Sequence, residues 1–454
     1  MRTPAARLVI PILQYEAARL TLDPFLRWAE AGVGGFCIFG AGKHLPAVLA
    51  RLQEAAPHPL LFVADLEHGA GQQLHGGTHH PPAAALDQEA AAAAAALTAL
   101  EARAQGVTMT FAPVCDVLTE PRNPILNARC FSDPVATAPV FCRAARRTGL
   151  RTCAKHFPGH GGTRADSHNV LPHVADDAAT WAKRDLPPFQ ACFDAGVDAV
   201  MSAHIDMPAL TGQPGLPATL SSRVMTEILR EELGFAGTVF SDALLMDGVR
   251  GKRDEGEVAL AAFAAGCDVL LGPHKPGAVL RAIEGLRGPG LESALARIDA
   301  LAKPLEPEVD LPHDELVPVL QAAAERSITA SGGVEAVGPG RYALRILDLH
   351  GEGRVLGERS GFAWRSYGLD GRLLEEEDQG PGLGGIVLCV ARRDKASGGP
   401  VEIPSTIRRV MQDADLTLLF GPSWLAEDAS APYLHAPGED PFTVAAMLRR
   451  AHGA

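Results

Sequence analysis

The chain has 454 residues, of which 47% are hydrophobic and 21% charged, a balance that supports a packed core and excludes a disordered polymer. Its formal charge of −13 argues against the clustered basic surface that nucleic acid or an anionic membrane requires, so neither is expected as a partner and a small ligand fits better. The length exceeds what one core usually serves, which predicts one large domain and a smaller one.

At the N-terminus the apolar run Leu8–Leu13 is short and broken by Pro11, which does not make a secretory signal and predicts a cytoplasmic protein. From there to about residue 275, apolar or β-branched runs alternate with amphipathic stretches. The predicted strands are Leu8–Ile12, Gly35–Phe39, Leu60–Asp65, Thr108–Val114, Arg151–His156, Ala199–His204, Thr238–Asp242 and Asp268–Gly272. Helical segments fall between them, among them Pro24–Ala31, Gln88–Gln105, Thr137–Thr148, Ala179–Ala195, Ser222–Glu232 and Glu255–Ala265. The alanine-rich run Ala83–Ala96 reads as plain helix, because alanine is the best helix former. Eight βα units of this kind predict an α/β fold with a (β/α)8 TIM-type barrel over residues 1–330.

A further helix is expected at Asp314–Ser327, after which Ser331-Gly332-Gly333 and Gly338-Pro339-Gly340 mark a boundary. Beyond it the strand-like runs Tyr342–Leu349, Gly385–Val390 and Leu416–Phe420 predict a small α/β domain at 331–454. No apolar run is long enough to span a membrane outside the alanine-rich helix. The eight cysteines include no CxxC pair and read as reduced core thiols. Nothing in the sequence fixes an oligomeric state.

The predicted strands end in ionisable groups, which is where a barrel gathers its active site. Asp65 and Glu67 follow strand three, Asp116 follows strand four, Lys155-His156 end strand five, His204 and Asp206 follow strand six, and Ser241-Asp242 end strand seven. The segment Lys155-His156-Phe157-Pro158-Gly159-His160-Gly161-Gly162 then leads through a loop to Asp166-Ser167-His168. Asp242 has two readings: a helix N-cap, or a nucleophile that attacks an electrophilic carbon. Asp166 and His168 form either an Asx-turn beside an exposed imidazole or a proton-transfer pair, in which the carboxylate fixes the tautomer of the ring. A metal site from His156, His160, Asp166 and His168 is a rival that lacks a recognised ligand spacing. Lys155 and His156 supply donors and Asp65 an acceptor, as a polyhydroxylated ligand needs, unless Lys155 and an aspartate merely form an ion pair at the barrel mouth.

These residues strongly resemble the signature of glycoside hydrolase family three, in its β-N-acetylglucosaminidase branch. Supporting motifs follow in the expected order: Phe111-Ala112-Pro113-Val114-Cys115-Asp116, Arg129-Cys130-Phe131-Ser132-Asp133-Pro134, Val200-Met201-Ser202-Ala203-His204 and Phe240-Ser241-Asp242-Ala243-Leu244. The resemblance covers roughly residues 8–330. It implies a retaining exo-β-N-acetylglucosaminidase acting on muropeptide- or chitin-derived sugars, with Asp242 as nucleophile, His168 as general acid/base and Asp166 as its orienting partner. Asp65, Arg129, Lys155 and His156 match residues that hold the terminal sugar, and the scheme needs no cofactor and no metal. A phosphorylase or β-glucosidase of the same fold, or a silent sugar-binding protein, are the alternatives. One departure stands out: where the branch often has Asp-x-Glu-Gly-Gly-Arg, this chain reads Asp65-Leu66-Glu67-His68-Gly69-Ala70-Gly71, without the arginine. With aromatic residues at 5%, a short pocket for one sugar is expected, not an extended platform.

Overall fold

Short apolar runs bounded by glycine, proline and charged residues become parallel strands at each of the eight expected places. In this computed structural model the structure describes residues 3–14, 21–330, 342–348, 364–367, 373–374, 385–391, 416–420, 433–437 and 440–452. They form two compact units. The first comprises Met1–His79, Ala91–Val117 and Asp133–Leu316, and the second His80–Ala90, Leu118–Ser132 and Val317–Ala454.

In the first unit, β1 (Val9–Ile10) and β2 (Ile12–Gln14) are two pieces of one strand interrupted at Pro11, which has no N–H for a ladder. Next come β3 (Gly35–Phe39), β4 (Leu61–Ala64), β5 (Met109–Thr110), β6 (Cys153–Phe157), β7 (Ala199–Ser202), β8 (Thr238–Phe240) and β9 (Leu270–Leu271). Parallel pairing runs from β2 through β3 and β4 to β5. Bridges Met109 to Arg151 and Val114 to Lys155 carry it to β6. It continues through β7 to β8, crosses to β9 by Phe240 to Val269, and returns to β1 through Val9 and Leu270. The ring is therefore closed and every pairing in it is parallel, the architecture of a (β/α)8 barrel.

Strands covered on both faces read as continuous apolar runs, and β4, β6 and β7 are buried at every residue. Phe111 and Phe240, from strands not adjacent in the ring, meet edge to face with centroids 5.3 Å apart. Both are fully buried, so each adds roughly 2–3 kcal/mol through area removed from water.

The helices depart from expectation in three places, one of them the stretch expected at Ser222–Glu232, which is wound as a π-helix over Arg223–Glu232. The stretch expected as one helix at Ala179–Ala195 is two, Ala178–Arg184 and Leu186–Asp194. Pro187 and Pro188 suit a helix start, where the missing N–H is not needed. The alanine run is also divided: Ala83–Ala85 is a single 3-10 turn, and the α-helix starts at Gln88. Asp87 accepts the Ala90 N–H at 2.9 Å, a capping contact that outweighs alanine's preference to continue.

Carboxylates at the other end of the strands serve the fold. Asp198, just before β7, accepts from Arg146 at 2.8 Å and Arg151 at 2.7 Å. Asp268, just before β9, takes Arg230 at 2.6 Å and Arg297 at 2.7 Å. Conserving charge balance at this face leaves the opposite, C-terminal strand ends for chemistry.

The second unit holds a seven-stranded sheet in the order β10 (Thr329–Ala330), β16 (Tyr433–Ala436), β15 (Leu416–Phe420), β14 (Gly385–Ala391), β11 (Tyr342–Asp348), β12 (Trp364–Tyr367), β13 (Leu373–Leu374). The three runs read as strands from the sequence are β11, β14 and β15, which are parallel neighbours. A helix at Pro441–His452 follows. The glycine-rich boundary expected at residues 331–340 lies outside the described residues. No helix among the described residues is long and apolar enough to cross a membrane, and the seven cysteines before residue 331 are buried and unbridged.

Candidate active site

At the end of β6, Lys155 Nζ donates to Asp65 Oδ1 at 2.7 Å and also pairs with Glu67 Oε1. Asp65 and Glu67 follow β4 directly, so two neighbouring strand ends build this ion cluster. Lys155 and Glu67 side chains are 2% and 4% exposed, but Asp65 is 23% exposed. Asp65 is thus the member with surface left for a ligand. The ion pair weighed as a merely structural alternative exists, with Glu67 as a partner the sequence reading had not selected.

The next residue, His156, is organised by Asp116. Asp116 Oδ2 accepts the His156 N–H at 3.1 Å and faces His156 Nδ1 at 2.7 Å, while Oδ1 accepts the His160 N–H at 2.5 Å. With Nδ1 committed to Asp116, the ring turns Nε2 away from it. Burial pushes the Asp116 carboxyl upward, but the adjacent His156 and His160 outweigh it and hold the group below its usual range.

The loop after β6 carries its own internal scaffold. Thr163 Oγ1 donates to the His160 carbonyl at 3.0 Å and lies 2.7 Å from His160 Nδ1. A hydroxyl has one proton, so Nδ1–H donates to Thr163 and Nε2 is left as the acceptor facing Ser167 Oγ at 3.1 Å. This neutral tautomer agrees with burial, which together with the charge of His156 lowers the His160 pKa to about 4. Ser167, held in this way, stands between Asp166 and His168.

Asp166 Oδ1 accepts the His168 N–H at 2.8 Å and faces His168 Nδ1 at 2.8 Å. The two readings of this pair therefore coexist: an Asx-turn fixes the backbone and the same oxygen orients the imidazole. Asn169 Nδ2 holds the other carboxylate oxygen at 3.2 Å. Burial raises the Asp166 pKa less than the hydrogen bonds from His168 lower it, so the group stays below its ordinary value. The His168 side chain is 27% exposed, which leaves Nε2 accessible to a ligand.

Asp242 follows β8 and is half-buried at the barrel mouth. Its Oδ1 accepts the Ala243 N–H at 2.7 Å and its own N–H points to Ser202 Oγ at 3.4 Å. The nearest helical turn is Asp247–Arg250, with Met246 at its N-cap, so Asp242 is not a helix cap. Burial would raise its pKa, yet His204, His156, the Ala243 N–H and His168 together lower it, so it is a carboxylate at neutral pH. The Asp242 N–H to Ser202 Oγ contact and the His204 Nε2 contact with Ala243 O bring the ends of β7 and β8 together. His204, whose pKa burial lowers, sits with Nε2 3.2 Å from Ala243 O and Nδ1 2.8 Å from Thr219 Oγ1.

Of the seven residues singled out from sequence, Asp65, Lys155, His156, Asp166, His168 and Asp242 all lie in the first unit at C-terminal strand ends or the loops that follow. Arg129 belongs to the second unit, buried on the 3-10 turn Asn127–Arg129, where its guanidinium donates to Ile125 O at 2.8 Å. Glu67, Asp116, His160 and His204 join the site without having been selected. Their signal was visible for three of them as ionisable residues just past an apolar run, but their partners lie far off in sequence, 44 residues for Asp116 and His160 and further still for Glu67 and Lys155. Among the described residues, no group of three or more His, Cys, Asp or Glu side chains is arranged to hold a metal ion.

An ionised carboxylate, an imidazole oriented by a second carboxylate, and a rim of donors and acceptors for hydroxyls are the parts of a double-displacement glycosidase. Comparison with known proteins agrees on a glycoside hydrolase. The glycosyl hydrolase family 3 N terminal domain matches residues 37–302. A beta-hexosaminidase of Tolumonas auensis is 35% identical over 276 residues, covering 57% of this chain and 80% of that protein. A family 3 β-N-acetylglucosaminidase structure from Paenibacillus is 25% identical with a TM-score of 0.80, over 100% of this chain and 96% of that one. NagZ of Neisseria gonorrhoeae, solved with N-trifluoroacetyl-D-glucosamine, is 28% identical with a TM-score of 0.57, over 69% of this chain and 95% of that one.

Proposed function

The chain belongs to glycosyl hydrolase family 3, and from that premise we propose that it is a retaining exo-β-N-acetylglucosaminidase whose nucleophile is Asp242 and whose general acid/base is His168. The observation that carries this reading is the pairing of a half-buried carboxylate held below its usual pKa with an imidazole oriented at 2.8 Å by Asp166.

In the first step an Asp242 oxygen bonds to the anomeric carbon, the glycosidic C–O bond breaks, and His168 Nε2–H gives its proton to the departing oxygen. In the second, water attacks the same carbon, His168 takes the water's proton, and Asp242 leaves as carboxylate. Asp166 stabilises the imidazolium that acts first and keeps Nδ1 occupied, so that only Nε2 exchanges protons. Asp65, Lys155 and His156 hold the hydroxyls of the non-reducing-end sugar, and Arg129 is assigned with them on resemblance.

The natural substrates are proposed to be muropeptide- or chitin-derived fragments, and the unbridged cysteines favour a reducing, cytoplasmic setting. The chemistry is assigned to residues 1–330, and 331–454 to a supporting role. The test is release of 4-nitrophenol from the N-acetyl-β-glucosaminide and the β-glucoside, with and without phosphate, by wild type and Asp242→Ala. Acetamido-selective release that the variant loses supports the reading. A sugar 1-phosphate product replaces hydrolysis by phosphorolysis, and no release from either substrate by the wild type overturns the assignment.

A further inference from the structure

Two loops carry the proposed chemistry, one after β6 with Asp166 and His168, the other after β8 with Asp242. They are joined backbone to backbone. The Asp247 N–H donates to the His168 carbonyl at 3.0 Å, and the Gly248 N–H donates to the Ser167 carbonyl at 3.1 Å. The approach is close: a Cβ placed on Gly248 would lie 2.4 Å from Ser167 O and 2.9 Å from Val170 O. Both are backbone atoms that cannot rotate aside.

Gly248 does not have a positive φ, so its backbone conformation is open to any residue. It lies inside the helical turn Asp247–Arg250, where alanine is intrinsically favoured over glycine. Neither conformation nor propensity explains the glycine; the space it gives to Ser167 and Val170 does.

We infer that Asp247 and Gly248 are positioning residues, a backbone clasp that sets His168 against Asp242 by tying its loop to the segment that follows the nucleophile. Asp166 orients the imidazole ring and His160 braces Ser167 from within the loop, but both belong to that same loop and move with it. Among the contacts described, the clasp is what references the acid/base to the strand end that bears the nucleophile. This rests on the assignment of His168 as general acid/base.

Two substitutions break the clasp differently. Gly248→Ala pushes the loop away sterically. Asp247→Pro removes the N–H that His168 O accepts, together with the carboxylate that pairs with Arg250, at the first position of a helical turn where proline is tolerated, and Met246 before it already has the extended ψ of 137 that proline demands. Asp247→Ala keeps the N–H and is the reference for loss of the side chain.

The readout is kcat/KM on an alkyl N-acetyl-β-glucosaminide, whose leaving group needs a proton, and on the 2,4-dinitrophenyl glycoside, whose leaving group does not. Thermal melts verify that each variant is folded. On the alkyl substrate Gly248→Ala and Asp247→Pro are expected to lose at least about ten-fold relative to Asp247→Ala, a part of what general acid catalysis supplies. On the dinitrophenyl substrate they lose less than about three-fold, and added azide, which attacks without a base, accelerates their turnover. Equal losses on both substrates, or none on either, overturn the clasp. If His168→Ala itself shows no dependence on leaving group, the assignment of His168 fails instead.

Discussion

Acidification to pH ~4.5 is expected to cost this protein about 2 kcal/mol of stability through His160 alone. The ring is fully buried, donates from Nδ1 to Thr163 and accepts on Nε2 from Ser167. Burial, and then the charge of His156, lower its pKa from the ordinary 6.5 to about 4. A histidine depressed in the folded state binds its proton more readily when unfolded, so its contribution is complete above the unfolded pKa and is lost as pH falls from there toward the folded one. With these two values the loss by pH ~4.5 is roughly 2 kcal/mol, and it approaches about 3 kcal/mol further down. Other groups titrate over the same range, so the assay is the difference between two proteins. Urea melts of wild type and His160→Asn at pH ~7 and pH ~4.5 give four free energies, and the acid-induced loss in wild type should exceed that in the variant by about 2 kcal/mol. Loss of the catalytic loop's order should accompany it, read as proteolysis between residues 158 and 174. Equal acid-induced losses in the two proteins would refute the neutral tautomer and the scaffold built on it.

Replacing Lys155 by Met removes the cation that bridges Asp65 and Glu67, and breaking this buried pair is expected to cost about 3–5 kcal/mol and to show as a fall in melting temperature together with a raised KM. Asp116→Asn sets an amide N–H against an N–H of either His160 or His156; the expected cost is about 2–3 kcal/mol, read by calorimetry, with a loss in kcat/KM because His156 is no longer held. The Asp116 pKa is depressed, so the stability that its charge contributes is present above about pH 4 and lost as pH falls further; the gap between wild type and Asp116→Asn should narrow in strong acid. Asp166→Asn keeps the turn but weakens the hold on the His168 imidazolium, and is expected to reduce kcat/KM on alkyl glycosides by about 10²-fold or more while sparing activated ones.

The barrel was legible because its strands fall in apolar runs separated by amphipathic stretches, and five of the predicted runs end in or lead to ionisable residues that full burial would exclude. Lys155, Asp65 and Asp242 could be picked out on that ground. The ring's closure was less accessible, since β5 and β9 are two-residue strands and the ring continues past them through isolated bridges such as Met109 to Arg151 and Phe240 to Val269. Helix boundaries failed where a capping side chain or a proline overrode propensity, at Asp87 and at Pro187. The supports of the site were the least visible part. Nothing local in His160 shows that it will be neutral, because that follows from its burial and from His156 being brought beside it. Gly248 looked like any glycine until the carbonyls of Ser167 and Val170 appeared within reach of its missing side chain. Roles assigned to single residues are written in local patterns, whereas the groups that orient them depend on which loops the barrel brings together.

In the proposed mechanism Asp242 becomes covalently bonded to the sugar. Incubation with a 5-fluoro N-acetylglucosaminyl fluoride, which slows both steps but leaves a good leaving group for the first, should add one sugar to the protein. Mass spectrometry of the digested protein is then expected to find that sugar on Asp242 and the adduct absent from Asp242→Ala. Turnover of ordinary substrate without any trapped adduct, or an adduct on another residue, would contradict the account.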